Sequence, residues 1–385
     1  MAKLLMITGL GSVEGLVSDK KGAFYNTLEE FHNYWDRIDI ISPRVKGHSS
    51  GVKNIFGNVY IHVSPWPLIF HPFWFIKKGI EIYKEQKFDL MTVHEFPPFY
   101  NGIGARLLWQ KIKVPYVLEI HHIPGYPESS GVKEEIYKSL FRLFIGYDAK
   151  KAKAVRVVNQ NQVPKFLAEA GVPKDKIVYI PSLYIDFGVF RPMNLPKEYD
   201  LIFVGRLEPN KGIDLLIEAF RLLNTKYEFP NTKLLIVGDG SLKENLELRI
   251  TDYGLKDKII MHGFAKDSSE IAELLNKSKI LVMPSYNEGG PRVVVEAMAC
   301  GVPVLATPVG IVPDLFKNLP VGGQGGLGGE IIDWDAEDIA SKAGALLNDS
   351  ERYQKYSQNG PNLVNQFEQK NSIRNYSEQL KKFVA

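Results

Sequence analysis

Short apolar runs rich in β-branched residues alternate with segments of helical period along this chain, and the whole alternation occurs twice. LLMIT (4–8), RIDIIS (37–42), DLMTV (89–93), PYVLEI (115–120) and AVRVV (154–158) form the first series. YDLIFVG (199–205), KLLIVG (233–238), KIIMHG (258–263), KILVMPS (279–285) and VPVLAT (302–307) form the second. Strands that are apolar throughout, rather than at every second position, are buried on both faces, so parallel sheets sandwiched by helices are expected. Two such series in 385 residues predict an α/β chain of two doubly wound, Rossmann-like domains.

Periodicity lapses and prolines cluster in IPSLYIDFGVFRPMNLPKEYD, which places the boundary near residue 190. The expected organisation is a first domain over 1–190, a second over 191–361, and a helix over 362–385 packing back on the first. Ligands of open α/β sheets lie outside the carboxyl ends of the strands. Two such domains are therefore expected to face each other across a cleft.

Charge narrows the partners. The formal net charge is +3, with 24 Lys+Arg against 18 Asp+Glu in residues 1–187 and 23 against 26 in the rest. A mildly basic first half suits an anionic ligand or membrane surface; it lacks the concentrated basic stripe of a nucleic-acid binder. The single cysteine, Cys300, excludes an intramolecular disulfide and suits a reducing compartment, and its setting in EAMACG reads as a small buried hydrophobe. MAKLLMITGLG is too short an apolar run for a secretory leader, and no window approaches the ~20 apolar residues of a membrane span. The expectation is a cytoplasmic protein, with peripheral association on the inner membrane face as its variant.

Three loops carry chemistry. In FVGRLEPNKGIDLLIEAF a strand ends at Gly205, Arg206 and Lys211 follow, and Gly212 opens a helix. Two cations and free helix N–H groups at a strand's carboxyl end suit a phosphate. LLIVGDGSLKENL repeats the device with Gly238 and Gly240, although glycine at such a turn is ordinary by itself. PSYNEGGPRVVVEAMACGVPVLAT discriminates most. Gly289 and Gly290 form a loop, Pro291 suits the first helical turn, and Arg292 and Val293 present unbonded N–H groups. Glu288 on the loop and Glu296 in the helix are carboxylates able to accept from sugar hydroxyls. Gly301 then ends the helix.

Residues about 199–345 resemble the C-terminal domain of the GT-B glycosyltransferases of the large retaining group called family four. The matching pieces are VGRLEPNKGID, LLIVGDG, IIMHGF, MPSYNEGGPRVVVEAMACGVPVLAT and VGIVPDL, in order and spacing. The resemblance implies transfer of a hexose from a nucleotide diphosphate sugar to a glycan or lipid-linked acceptor, with retention of configuration. No cofactor is implied beyond that donor substrate. By the same resemblance Arg206 and Lys211 bind the diphosphate, Glu288 and the N–H groups from Gly289 to Val293 hold the donor sugar, and Glu296 grips the ribose. The donor contacts extend over Gly205 and Gly238, and Gly263 and Phe264, within His262–Phe264, wall the base.

The first half resembles the family less closely. YVLEIHHIPG makes His121 the candidate that reaches the donor sugar, with His122 and His94 as rivals at comparable strand ends. GLGSVEGLVSDKKGAFYNTLEEF stands where the family has a glycine-rich loop, so Gly22 is the expected diphosphate contact, and a role for Lys20 or Lys21 stays open. IPSLYIDFGVF departs from the family's I-P-N-G-V-D.

DWD at 333–335 imitates a metal-binding motif of a different fold, and no metal is expected there. GLGSVEG departs from dinucleotide-binding spacing. The aromatic stretch 64–88 has two readings: a helix buried on the first sheet with lysines at its rim, or membrane contact through residues 66–78. A GT-B epimerase, a nicotinamide-dependent oxidoreductase and a non-catalytic nucleotide-sugar-binding subunit are the competing functions. An acid/base pair in the cleft, nicotinamide binding, and donor binding without turnover would respectively favour them.

Overall fold

In a computed structural model, the described residues are 2–9, 15–17, 22–45, 47, 50–97, 99–317 and 328–384. The expectation for Lys20 and Lys21 falls outside them. The chain divides into two compact units: Met1–Ile123, Ile136–Ser182 and Lys370–Ala385 form one, and Pro124–Glu135 and Leu183–Gln369 the other.

The first unit is built on β1 (Lys3–Ile7), β2 (Arg37–Ser42), β3 (Gly51–Ile55), β4 (Val59–Val63), β5 (Leu90–His94), β6 (Tyr116–Ile120), β7 (Ala154–Val157) and β8 (Ile177–Tyr179). Their order is β3-β4-β2-β1-β5-β6-β7-β8. Every pairing is parallel except β3 with β4, so the expectation of a purely parallel sheet is corrected at one edge by a hairpin. The connecting helices are α1 (Ala23–Phe31), α2 (His71–Gln86), α3 (Tyr100–Ile112), α4 (Val132–Ala149) and α5 (Gln162–Glu169).

The second unit carries β9 (Tyr199–Val204), β10 (Leu234–Val237), β11 (Ile259–Gly263), β12 (Ser278–Met283), β13 (Val304–Ala306) and β14 (Gly329–Ile331). All are parallel, in the order β11-β10-β9-β12-β13-β14. This is the doubly wound arrangement, whose chain reverses direction across the sheet between β9 and β12. Its helices are α6 (Ile213–Thr225), α7 (Lys243–Asp252), α8 (Ser268–Asn276), α9 (Arg292–Ala299), α10 (Val312–Lys317), α11 (Ala336–Asn348) and α12 (Ser350–Val364). Side chains of one strand feed two cores: Leu201 and Phe203 pack with Leu216 and Phe220, whereas Ile202 packs with Val295 and Met298. Both faces of the sheet are thus covered, as continuous apolar strands require.

Helix α13 (Gln369–Lys381) belongs to the first unit, where Tyr376 stacks on Phe31 at 5.0 Å and donates to Glu119 Oε1 at 2.6 Å. Among the described residues no helix is long and apolar enough to cross a membrane.

One buried pair in the first unit sets a pH dependence. Glu95 is 4% exposed and Asp148 0%, and both Asp148 carboxyl oxygens lack a hydrogen-bond partner. A Cβ at Gly102 would meet Glu95 Oε2 at 2.0 Å and Asp148 Oδ2 at 2.6 Å, so the two carboxyls are neighbours. Burial pushes both pKa values up, and for Glu95 the Asp148 charge adds to it. A carboxyl whose folded pKa is raised binds its proton more tightly in the folded state. The stability this supplies is full below the unfolded carboxyl value and is lost as pH rises through the raised folded value. Each tenfold difference in proton affinity between the folded and unfolded chain is worth about 1.4 kcal/mol. Asp148→Asn is therefore expected to raise the melting temperature at pH 8 by a few degrees, and to change it much less at pH 5. An equal loss of stability at both pH values in thermal melts would contradict this account.

Candidate active site

At a reversal of strand order the two flanking connections leave in opposite directions, and a crevice opens at the carboxyl ends of the strands. In the second unit this point lies between β9 and β12. The loops that follow them, residues 205–212 and 284–291, carry Arg206, Lys211 and Glu288. Backbone contact joins the loops: Tyr286 N donates to Asn210 O at 2.9 Å, and a Cβ at Gly212 would meet Pro284 O at 2.1 Å. Gly212 has φ +64 and caps α6, so glycine is required both by its backbone and by that approach.

Lys211 Nζ pairs with Glu288 Oε1, which also accepts from Ser285 Oγ at 3.2 Å. The side chains are 16% and 18% exposed, so a half-buried ion pair bridges the two loops. Arg206 is exposed; its carbonyl accepts from Glu208 N at 3.0 Å, and its side chain makes no hydrogen bond or ion pair among the described residues. Hydrogen bonds from Ser241, followed by the Arg206 charge, hold neighbouring Glu208 below the usual carboxylate range.

The next loop is fitted as tightly. Gly205 N donates to Val237 O at 3.0 Å and Gly238 N to Gly263 O at 2.7 Å, linking three strand ends. Gly238 has φ +144, and a Cβ there would fall 1.8 Å from Gly205 O, so no other residue fits. Beyond Gly263 the ring of Phe264 stands 81% exposed.

Pro291 is the N-cap of α9, one residue earlier than the expected first turn, with no side chain capping the helix. Glu296, in the second turn, is 8% exposed; its Oε1 lies 3.6 Å from Arg292 Nε. Burial raises its pKa, and Arg292 opposes the shift. The Arg292 guanidinium lies over the Tyr184 ring at 4.7 Å, and its Nε lacks a hydrogen-bond partner. The helix ends as expected, with Gly301 N donating to Met298 O and Val302 N to Ala297 O. Cys300 is buried, and burial pushes its thiol up to about 12, as befits a small core residue.

Several supporting residues escaped the sequence reading. Asn287, fully buried, donates to Glu128 O at 3.0 Å and to Glu134 Oε2 at 2.8 Å, tying Pro124–Glu135 to the loop after β12. Ser285 O accepts from Thr307 Oγ1 and from the Trp334 indole at 2.9 Å. The DWD motif is thereby given structural work, since Asp335 caps α11 by accepting from Asp338 N at 3.1 Å.

In the first unit, His94 and His121 lie at the ends of β5 and β6 with ring centroids 4.6 Å apart. His94 Nε2 is 2.8 Å and His121 Nε2 4.0 Å from Glu119 Oε2. The other Glu119 oxygen accepts from Arg156 Nη1 at 2.7 Å and from Tyr376. Burial opposes ionisation of Glu119, but Arg156 and His94 hold it below the usual carboxylate range. Desolvation, with repulsion from His94 and Arg156, pushes His121 down to about 3, which leaves its ring neutral at physiological pH. His94, Glu119 and His121 form the one metal-competent group among the described residues, and Arg156 already balances its single negative charge. Gly22 is the N-cap of α1, its carbonyl accepts from Asn26 N at 3.1 Å, and a Cβ there would meet nothing within 4 Å among the described residues.

Two family patterns match the chain: "Glycosyl transferases group 1" over residues 190–363 and "Glycosyl transferase 4-like domain" over 59–182. An uncharacterized glycosyltransferase of Methanocaldococcus jannaschii is 26% identical over 345 residues, spanning 87% of this chain and 88% of that protein. Among solved structures, sucrose-phosphate synthase from Thermosynechococcus elongatus superposes with a TM-score of 0.78 at 19% identity, covering 99% of each chain. Anabaena HepE in complex with UDP-glucose gives 0.74 at 18% identity, over 99% of this chain and 100% of that one. Fold, motif order and family patterns agree: the chain is a glycosyltransferase of the group 1 family, with the GT-B fold.

Proposed function

We propose that the chain transfers a hexose from a nucleotide diphosphate sugar to a glycan or lipid-linked acceptor, with retention of configuration. The observation that carries this reading is the pairing of Lys211 with Glu288 across the strand-order reversal, with buried Glu296 one helix turn beyond. Arg206 and Lys211 offer positive charge where a departing diphosphate develops negative charge, which lowers the barrier to departure. The uncapped N-terminus of α9, with Gly289 to Val293 leading into it, supplies N–H groups and a favourable dipole for the same anion. Glu288 accepts from donor-sugar hydroxyls, and Glu296 accepts from both hydroxyls of a ribose. The exposed Phe264 ring is a platform for the base. HepE, a structural neighbour, was solved with UDP-glucose, which motivates a uridine nucleotide as the first probe.

Retention follows in this reading from attack on the face that the leaving phosphate vacates, with that phosphate accepting the acceptor's proton. Neither glutamate is then a nucleophile. His121, neutral and at a strand end of the first unit, is suited to hydrogen-bond a sugar hydroxyl without adding charge.

Three measurements test the proposal. In calorimetry, Glu296→Ala is expected to weaken binding of UDP about ten- to a hundredfold, because one charged hydrogen bond is worth about 1.5–3 kcal/mol. An unchanged dissociation constant would remove Glu296 from the site. Lys211→Ala should depress kcat at least about tenfold while shifting the melting temperature by no more than a few degrees; wild-type turnover would exclude its role on the leaving group. Finally, NMR of the first-formed product should show the anomeric configuration of the donor. An inverted product refutes retention, and conversion of the donor without any acceptor identifies an epimerase instead.

A further inference from the structure

An amphipathic helix normally turns its apolar stripe inward. Helix α4 carries a second stripe that points out: Ile136 is 54% exposed, Leu140 37%, Leu143 71% and Tyr147 43%. Their spacing of four, three and four places them along one face of the helix. The opposite face is already satisfied, since Phe141 and Ile145 are buried in the first unit. Apart from Tyr147, whose ring lies under the Arg106 guanidinium, the outward stripe is left exposed.

Topology extends this surface. The crossovers β4→β5, β5→β6 and β6→β7 all run in one direction along parallel strands, so right-handed connections put α2, α3 and α4 on the same face of the sheet. Contacts agree with that order. A Cβ at Gly104 of α3 would meet the Phe75 ring of α2 at 2.1 Å, and the Arg106 guanidinium lies 3.7 Å over Tyr147 of α4. At the α2 end, Ile69, Phe70 and Phe73 are 64%, 51% and 66% exposed.

The surrounding charge is basic on balance. Val132–Lys153 has six basic residues against three acidic ones, Glu134 and Glu135 in the first turn of α4 and Asp148, which is buried. Tyr100–Pro115 has three bases and no acid, and Ser64–Gln86 has three lysines and two glutamates, of which Glu81 pairs with Lys78 at 2.7 Å. A face both apolar and basic repels a second copy of itself and attracts a surface carrying anionic headgroups. We propose that this helical face of the first unit, centred on the outward stripe of α4, docks on an anionic lipid bilayer. Its apolar side chains enter the headgroup region, and Lys77, Arg142, Lys150 and Lys151 remain at the phosphate level. The proposal does not depend on the donor reading above.

The test is sedimentation of the full chain with vesicles of phosphatidylcholine, alone or mixed with phosphatidylglycerol. Binding to the mixed vesicles and release by salt are expected. The triple variant Ile136→Ser, Leu140→Ser and Leu143→Ser should lose about tenfold or more of that binding with its melting temperature within a few degrees of wild type. Should it fold poorly, the pair Lys150→Glu and Lys151→Glu asks the same question through charge alone. No binding to mixed vesicles, or wild-type binding by a folded variant, overturns the proposal. So does a dimer in light scattering that the triple variant converts to monomer, because a second copy then covers the face.

Discussion

The structure of the candidate site depends on one constraint: the second sheet reverses its direction of growth between β9 and β12. All other neighbouring strands are joined by connections that close over their ends. At the reversal, the chain leaves β9 on one side and β12 on the other, and the space between must be bridged by side chains or ligand. Lys211 and Glu288 bridge it. A half-buried ion pair of this kind is a poor source of stability, because desolvation offsets most of the attraction. Two apolar residues of similar volume would pack there at least as well. Under the proposed function the placement of both charges is preorganisation, with each largely desolvated before an anionic, hydroxyl-rich ligand arrives.

The central strands were legible in the sequence because burial on both faces leaves no polar positions. RIDIIS coincides with β2, and nine further runs fall within one to three residues of observed strands. The edge elements were not legible. β3 reads GVKNI and is largely exposed, while the three-residue strands β8 and β14 are too short to show any period. β4, VYIHV, was missed because polar and aromatic residues interrupt its apolar character. The site divides in the same way. Glycines and charges at strand ends announce themselves, since Gly238 must be glycine to clear Gly205 O. Asn287 lies inside the most informative motif, yet nothing in its spacing separates a buried amide holding Pro124–Glu135 from an exposed one.

Long-range polar contacts are the harder part of the first unit to read. Glu119 sits in an apolar strand, where a carboxylate looks like an error of pattern. It is made tolerable by Arg156 from β7 and by Tyr376, distant by 257 positions in sequence. The C-terminal helix thus contributes a hydrogen bond to the carboxylate against which His94 and His121 lie. The buried Glu119 charge anchors that helix and attracts a proton to His121, whereas desolvation together with His94 and Arg156 outweighs it and keeps the ring neutral. Removing one partner would disturb both, because buried networks of this kind fail together.

The aromatic stretch near residue 70 shows where composition stops being informative. Its two readings are a buried helix and membrane contact, and the structure has both buried and exposed aromatic side chains there. Trp74 and Phe75 are buried, and Phe70 and Phe73 face outward. Helical period could in principle separate the two sets, but a stretch apolar on nearly every side gives no contrast from which to read a period. On α4 the contrast exists, and there it misleads, since an apolar stripe is ordinarily taken as core. Two stripes on one helix can both be buried only if neighbours cover both, and the first sheet covers one face alone. Exposure in the fold, rather than hydrophobicity along the sequence, distinguishes such an outward surface from a core.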